Sequence, residues 1–439
     1  MTLAREGLPH LATIVDDLVD PYVGVVKVAA AAPRQAGAPA FFHYWAEAAD
    51  TGAFAPQHNF ARTGGAAEDP DRALAKALGE AVERYCGAIY VQEEFPLSAA
   101  GDAPFATIDP ASLALNSAAQ YEEPGFRFVP FTQETPVRWV AMRDALSGDV
   151  VHVPAAMVFV PYYFAHGEAP IAQPISTGLA CQVSFEAAAA VALYEVIERD
   201  AFMITWLARL APPRVRLDTL PPEIAHLLER FHRVGYEVTL LDITLDCGVP
   251  TVLAVSRHPA RECPAVVVAA SANLSPVRAI RSALEELAHT GHYCQEIVRD
   301  LPRLRGDGEA VIDQQSHLNY WCDHAHADSI EFLFASEASV ALAEIGADLS
   351  SGAPSELEQA CRAVASTGHR VLLRDLTTED VAELGLAVLR AVVPGYHPLV
   401  SGHRYRALGG TRLMNVPQRL GYAGLDDEAA ANPLPHPYP

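Results

Sequence analysis

The chain has 439 residues, 50% of them hydrophobic, which provides for a large core and two to three structural units. Its formal net charge of −23 argues against DNA or RNA as a partner, because phosphate binding needs basic surface. No apolar run approaches the ~18 residues that span a bilayer, and the N-terminus lacks the basic and apolar regions of a signal peptide, so no membrane association and a cytoplasmic location are expected.

Residues 1–60 alternate short apolar runs, such as 23–28 and 41–45, with Pro/Gly/Ala breaks and read as strands and loops. Residues 61–69 read as a glycine-containing loop before a helix over 70–91. Residues 95–135 are rich in Pro, Ser and Ala and read as irregular. Strands are expected over 137–142, 150–161 and 238–255, with helices over 185–208 and 276–298. The C-terminal third alternates strands (331–334, 370–374, 387–393) with a helix over 354–366. Interleaved strands and helices indicate an α/β or α+β fold. Residues 426–439 are acidic, then proline-rich, and are expected to be extended and poorly packed.

Three helical segments look alike. Residues 77–84 read Ala-Leu-Gly-Glu-Ala-Val-Glu-Arg, residues 192–199 read Ala-Leu-Tyr-Glu-Val-Ile-Glu-Arg, and residues 283–289 read Ala-Leu-Glu-Glu-Leu-Ala-His. Asp69-Pro70 and Ser275-Pro276 are helix-start signals, and Ser184 is a further N-cap candidate. From each cap the key glutamate lies eleven residues on, at Glu80, Glu195 and Glu286. Residues i, i+3 and i+4 share a helix face, so Glu80, Glu83 and Arg84 project together, as do Glu195, Glu198 and Arg199. One such copy reads most simply as a solvated face with an intrahelical ion pair. Two near-identical copies and a third in register favour the alternative, carboxylates gathered around Mg2+ and phosphate oxygens.

Neither a Walker A sequence nor G-x-G-x-x-G is present, so a bound nucleotide is not held by either glycine loop. A G-x-S-x-G hydrolase elbow is also absent. The seven cysteines are scattered without C-x-x-C, which suggests reduced, mostly buried thiols and neither disulfides nor zinc. His289, His292 and Glu296 share a helix face; a polar face explains them more simply than a metal site.

The run Ser176-Thr177-Gly178-Leu179-Ala180-Cys181 through 192–202 to Trp206 resembles the most recognisable stretch of the YcaO family. The helix with Glu80, Glu83 and Arg84 is similar to the family's first motif. Asp375-Leu376-Thr377 and Val393-Pro394-Gly395 with Pro398 are similar to its C-terminal part. The resemblance covers nearly the whole chain. It implies an α+β fold of YcaO type with mixed sheets, in which three glutamate-bearing helices line one nucleotide site. Residues 1–60 would form the N-terminal strand region, 61–425 the catalytic domain and 426–439 the tail.

The same resemblance implies the chemistry. Such enzymes bind ATP through Mg2+ held by helix-borne glutamates. They activate a backbone amide of a ribosomal precursor peptide. In the azoline-forming branch a Cys, Ser or Thr side chain attacks the preceding carbonyl, whose oxygen is phosphorylated and leaves as phosphate. The product is a thiazoline or (methyl)oxazoline. Carried over, Glu80, Glu83, Glu195, Glu198 and Glu286 would hold Mg2+ and nucleotide. Ser282 keeps a Ser-x-x-x-Glu spacing and would contact nucleotide. Arg412 would be a further phosphate contact. Arg84 and Arg199 would contact phosphate or brace the glutamates. The ending Pro433-Leu434-Pro435-His436-Pro437-Tyr438-Pro439 resembles the proline-rich tail of azoline formers, which places a C-terminal carboxylate, here that of Pro439, in the active site.

Four positions depart from the family pattern: Lys76 stands where serine is common, His289 where glutamine is usual, and Val183 and Val191 where polar residues are frequent. Thioamide or amidine formation and a non-catalytic scaffold role are the rival readings. The YcaO-like region begins close to residue 1, so a separate leader-binding partner, E1-like or ThiF-like, is expected, together with a flavin dehydrogenase and a homodimeric assembly.

Overall fold

A computed structural model describes residues 11, 13–55, 57–304, 308–346 and 355–439. The chain divides into two units. One comprises Met1–Ala32, Phe42–Val196 and Ala353–Tyr396; the other comprises Pro33–Phe41, Ile197–Gly352 and His397–Pro439.

In the first unit, Val26–Ala31, Phe42–Ala48 and Arg62–Ala67 form a three-stranded antiparallel sheet. The predicted loop at 61–69 is thus a strand. Gly65 serves close packing: a Cβ added there would lie 2.5 Å from Cβ of Lys76 and 2.9 Å from the Ala77 nitrogen. The helix Pro70–Cys86 therefore lies flush against the strand, burying Ala73, Ala77, Leu78 and Ala81. A six-stranded antiparallel sheet runs in the order Leu97–Ser98, Val137–Asp144, Leu372–Asp375, Ala387–Val392, Leu179–Gln182, with Val150–Pro154 also paired to Val137–Asp144. The strand expected over 150–161 stops at Pro154, where a 3-10 turn Ala155–Met157 takes over.

In the second unit, Val266–Ala272, Thr251–Arg257, Glu237–Asp242, Arg214–Val215 and Ser339–Val340 form a five-stranded sheet whose last pair is parallel. The single strand expected over 238–255 is two antiparallel strands separated by an irregular connection, in which Gly248 sits at φ +72°. Successive residues enter different cores. Val252, Ala254, Val267 and Ala269 pack with the helix Pro276–Asp300. Leu253, Val255, Val266 and Val268 pack with Phe202, Trp206, Trp321 and Tyr438. Both sheet faces are covered, so the strands read as continuous apolar runs rather than alternating ones.

Two more expectations change here. The strand predicted at 331–334 belongs to a 3-10 segment, Ala327–Phe334, that buries Ile330 and Leu333 three residues apart. The tail holds a short 3-10 turn, Glu428–Ala430, and contrary to expectation it is well packed. Ala431, Asn432, His436 and Tyr438 are buried. Trp206 Nε1 donates to the Leu434 carbonyl (3.2 Å) and Trp321 Nε1 to that of Pro435 (2.9 Å).

Candidate functional site

The three repeat helices all form, over Pro70–Cys86, Phe185–Leu207 and Pro276–Asp300. Each predicted cap works in the same way. Asp69 Oδ1 accepts from Arg72 N, Ser184 Oγ from Ala187 N and Ser275 Oγ from Arg278 N, satisfying a donor in each first turn. The shared register of Glu80, Glu195 and Glu286 is thus anchored at the start of each helix. The helix Phe185–Leu207 contributes residues through Val196 to the first unit and those from Ile197 to the second.

Within the first unit, Glu80, Glu83, Glu195 and Arg84 are electrostatic neighbours. Backbone amides aim the three carboxylates. Gly64 N donates to Glu80 Oε2 (3.2 Å), Cys181 N to Glu83 Oε1 (2.8 Å) and Gly178 N to Glu195 Oε2 (2.9 Å). Arg84 Nη2 also reaches Glu80 Oε1 at 3.2 Å. Gly178 is demanded by its conformation, φ +85°, and by closeness: an added Cβ would lie 2.3 Å from the Ala391 oxygen. Burial pushes the Glu83 carboxyl well above its ordinary range, and the charges of Glu80 and Glu195 push in the same direction against the Cys181 amide and Arg84.

Sequence reasoning missed Arg390 in this unit. It is 2% exposed; Nε and Nη2 donate to the Met157 carbonyl and Nη2 also to that of Ile175, while Nη1 has no hydrogen-bond partner among the described residues. Burial lowers its pKa to about 10, with Glu195 opposing the shift and Arg84 adding to it. Its apolar strand context, Ala387–Val392, reads as core and gives no sign of a buried cation.

The second unit gathers Glu198, Arg199 and Glu286 around Tyr438. Arg199 Nε lies 3.5 Å from Glu198 Oε1, and its Nη1 donates to the Pro439 main-chain oxygen at 3.3 Å. Glu286 pairs with His289 at 3.6 Å. Ser282 is half-buried on the same helix, one turn before Glu286. His292 faces Gln35 and the Pro33 carbonyl, as a polar helix face would.

Arg412 is only 1% exposed and forks between Asp200 and Asp246, at 2.6 and 2.7 Å. Those bonds engage its guanidinium with two carboxylates of the same unit, one of them on the helix Phe185–Leu207 at Asp200. The cysteines are all free, and Cys263 alone among them is not buried.

The first-unit carboxylates fit a divalent cation chemically, since the crowding of Glu80, Glu83 and Glu195 is relieved by positive charge. Among the described residues no three His, Cys, Asp or Glu side chains converge as a ready cage. Mg2+ suits such a site, because it takes one or two carboxylates and completes its shell with water and phosphate oxygens. No helix among the described residues is long and apolar enough to cross a membrane.

Comparison with known proteins gives a consistent result. The YcaO family profile, described as "YcaO cyclodehydratase, ATP- and Mg2+-binding", matches residues 64–397. An uncharacterized protein of Methanothermobacter thermautotrophicus is 30% identical over 335 residues, covering 74% of this chain and 78% of that protein. A heterocyclase solved in complex with substrate and cofactor superposes with a TM-score of 0.78 at 22% identity, over 98% of this chain; the chain spans only 57% of that heterocyclase. The YcaO protein of Methanopyrus kandleri, solved with AMPPCP and Mg2+, has a TM-score of 0.61 at 21% identity, covering 88% of this chain and 90% of that one.

Proposed function

The chain belongs to the YcaO family of ATP- and Mg2+-binding cyclodehydratases, and from that premise we propose that it converts Cys, Ser or Thr residues of a ribosomal precursor peptide into thiazolines or (methyl)oxazolines. The observation that carries this reading is the set of three glutamates, Glu80, Glu83 and Glu195, each held by a backbone amide of the first unit.

Glu80, Glu83 and Glu195 are the proposed Mg2+ ligands of the first unit, and Glu198 and Glu286, with Ser282, those that hold metal and nucleotide in the second. Bound Mg-ATP supplies the phosphoryl group that turns the amide oxygen into a leaving group, and the positive charge that offsets it. The chain's own residues then position and neutralise. Backbone amides of Gly64, Cys181 and Gly178 fix the carboxylates, in the manner of outer partners that orient metal ligands. Arg84 and Arg199 brace Glu80 and Glu198. A carboxylate at Pro439, whose main-chain oxygen accepts from Arg199 Nη1, is the proposed acceptor for the proton lost by the attacking side chain. A separate leader-binding protein is the proposed partner for peptide delivery, with a flavin dehydrogenase acting afterwards where azoles are made, and the chain is proposed to act as a cytoplasmic homodimer.

The test is to incubate the chain with partner, precursor peptide, ATP and Mg2+. Phosphate release matched to loss of one water per ring supports the proposal. Ring formation without ATP, or ATP consumption with no change in peptide mass, contradicts it.

A further inference from the structure

Tyr438 has a part that the residues assigned so far do not explain. Its ring is 1% exposed, 4.4 Å from the Phe202 ring, with the Arg199 guanidinium 4.3 Å over its face. The main-chain carbonyls of tail residues before it are bonded to Trp206, Trp321 and His317. Core packing therefore fixes the phenol whatever Glu198 does. The phenol oxygen accepts from Ala270 N (3.2 Å), on the strand Val266–Ala272 at the edge of the five-stranded sheet. Its single hydrogen has two acceptors in reach, Glu198 Oε1 at 2.5 Å and the Ala270 oxygen at 3.4 Å. The shorter, charge-assisted bond takes it. A strand amide, a phenol and a carboxylate thus form one directed chain, Ala270 N–H to Tyr438 Oη–H to Glu198.

We propose that Tyr438 is a positioning residue: its hydroxyl, anchored by the strand amide, orients Glu198 for the metal-nucleotide. This inference rests on the proposed role of Glu198 in holding Mg2+ and nucleotide. The hydroxyl acts through Glu198 and touches no substrate. It is specific to tyrosine, since phenylalanine would keep the ring stack and the cation–π contact and lose the hydroxyl that links the Ala270 amide to the carboxylate.

The experiment measures binding of AMPPCP with Mg2+ by calorimetry on the full chain, with melting temperatures recorded without ligand. Y438F should weaken binding about ten- to a hundredfold, as loss of an outer partner does, while the melting temperature stays within a few degrees. Y438F added to E198Q should weaken binding no further, because both act through one carboxylate. Wild-type affinity in Y438F overturns the inference, whether or not its melting temperature falls. So does a Y438F effect that adds in full to that of E198Q. If the wild-type chain itself binds no Mg-nucleotide, the proposed function fails along with it; if the wild type binds and Y438F binds equally, only the role of Tyr438 fails.

Discussion

Replacing Arg412 with methionine separates two accounts of that residue. Methionine keeps most of the buried volume and removes the charge. Arg412 contacts Asp200 at 2.6 Å and Asp246 at 2.7 Å, with side chains 2% and 11% exposed. Breaking a buried ion pair from one side costs about 3–5 kcal/mol, because the remaining charge loses its partner without regaining water. Asp246 keeps Arg419 at 3.1 Å, whereas Asp200 keeps the His397 amide at 2.8 Å. The uncompensated charge is therefore chiefly that of Asp200, and a value near the lower end, about 3 kcal/mol, is expected. For a unit of roughly two hundred residues this lowers the melting temperature by roughly 6–12 °C. The added change D200N should return at least about 1 kcal/mol, since asparagine keeps an acceptor for the His397 amide and drops the charge. Calorimetric melting and AMPPCP binding below the transition are the assays. Unchanged stability in R412M, together with lost nucleotide affinity, would show that Arg412 contacts phosphate and is no brace.

Acid should weaken the second unit in a defined window. Burial lowers the His317 pKa to about 4, against an unfolded value near 6.5, with the His436 carbonyl opposing the shift. A base with a depressed native pKa binds fewer protons folded than unfolded, so its stability is whole above pH 6.5 and declines as pH falls toward 4, by roughly 3 kcal/mol. Denaturant midpoints of H317Q should fall less steeply over that range; identical slopes for the two proteins refute the assignment. Gly178→Ala places a Cβ against the Ala391 oxygen at φ +85° and should cost about 2–3 kcal/mol. It should also weaken nucleotide binding by moving the amide that holds Glu195; wild-type melting and affinity contradict both statements.

What could be read from the sequence was local. The three caps and the eleven-residue spacing to each glutamate involve neighbours in the chain, and the helices begin where Asp69, Ser184 and Ser275 indicated. The family motifs likewise lie in continuous runs. What escaped was set by partners distant in sequence. Gly65 carries an ordinary loop signal, and only the helix packed on it shows why a strand needs glycine there. The two-faced burial of Thr251–Arg257 erased the alternation that separates one strand from the next. Arg390 and Tyr438 owe their surroundings to residues more than 190 positions away, Glu195 for one and Glu198 for the other. A proline-rich composition describes the tail's extended backbone and not the tryptophans that receive it.

The most direct test of the glutamate-built site is titration of the full chain with AMPPCP, with and without Mg2+, beside E83Q and E195Q. Binding should require Mg2+, and each substitution should reduce affinity by at least about tenfold, as loss of a ligand exceeds loss of an outer partner. E83Q should melt no lower than the wild type without ligand, since burial and the charges of Glu80 and Glu195 all penalise the ionised form of the carboxyl it replaces. Nucleotide binding that ignores Mg2+, or that survives intact in both variants, would contradict the account.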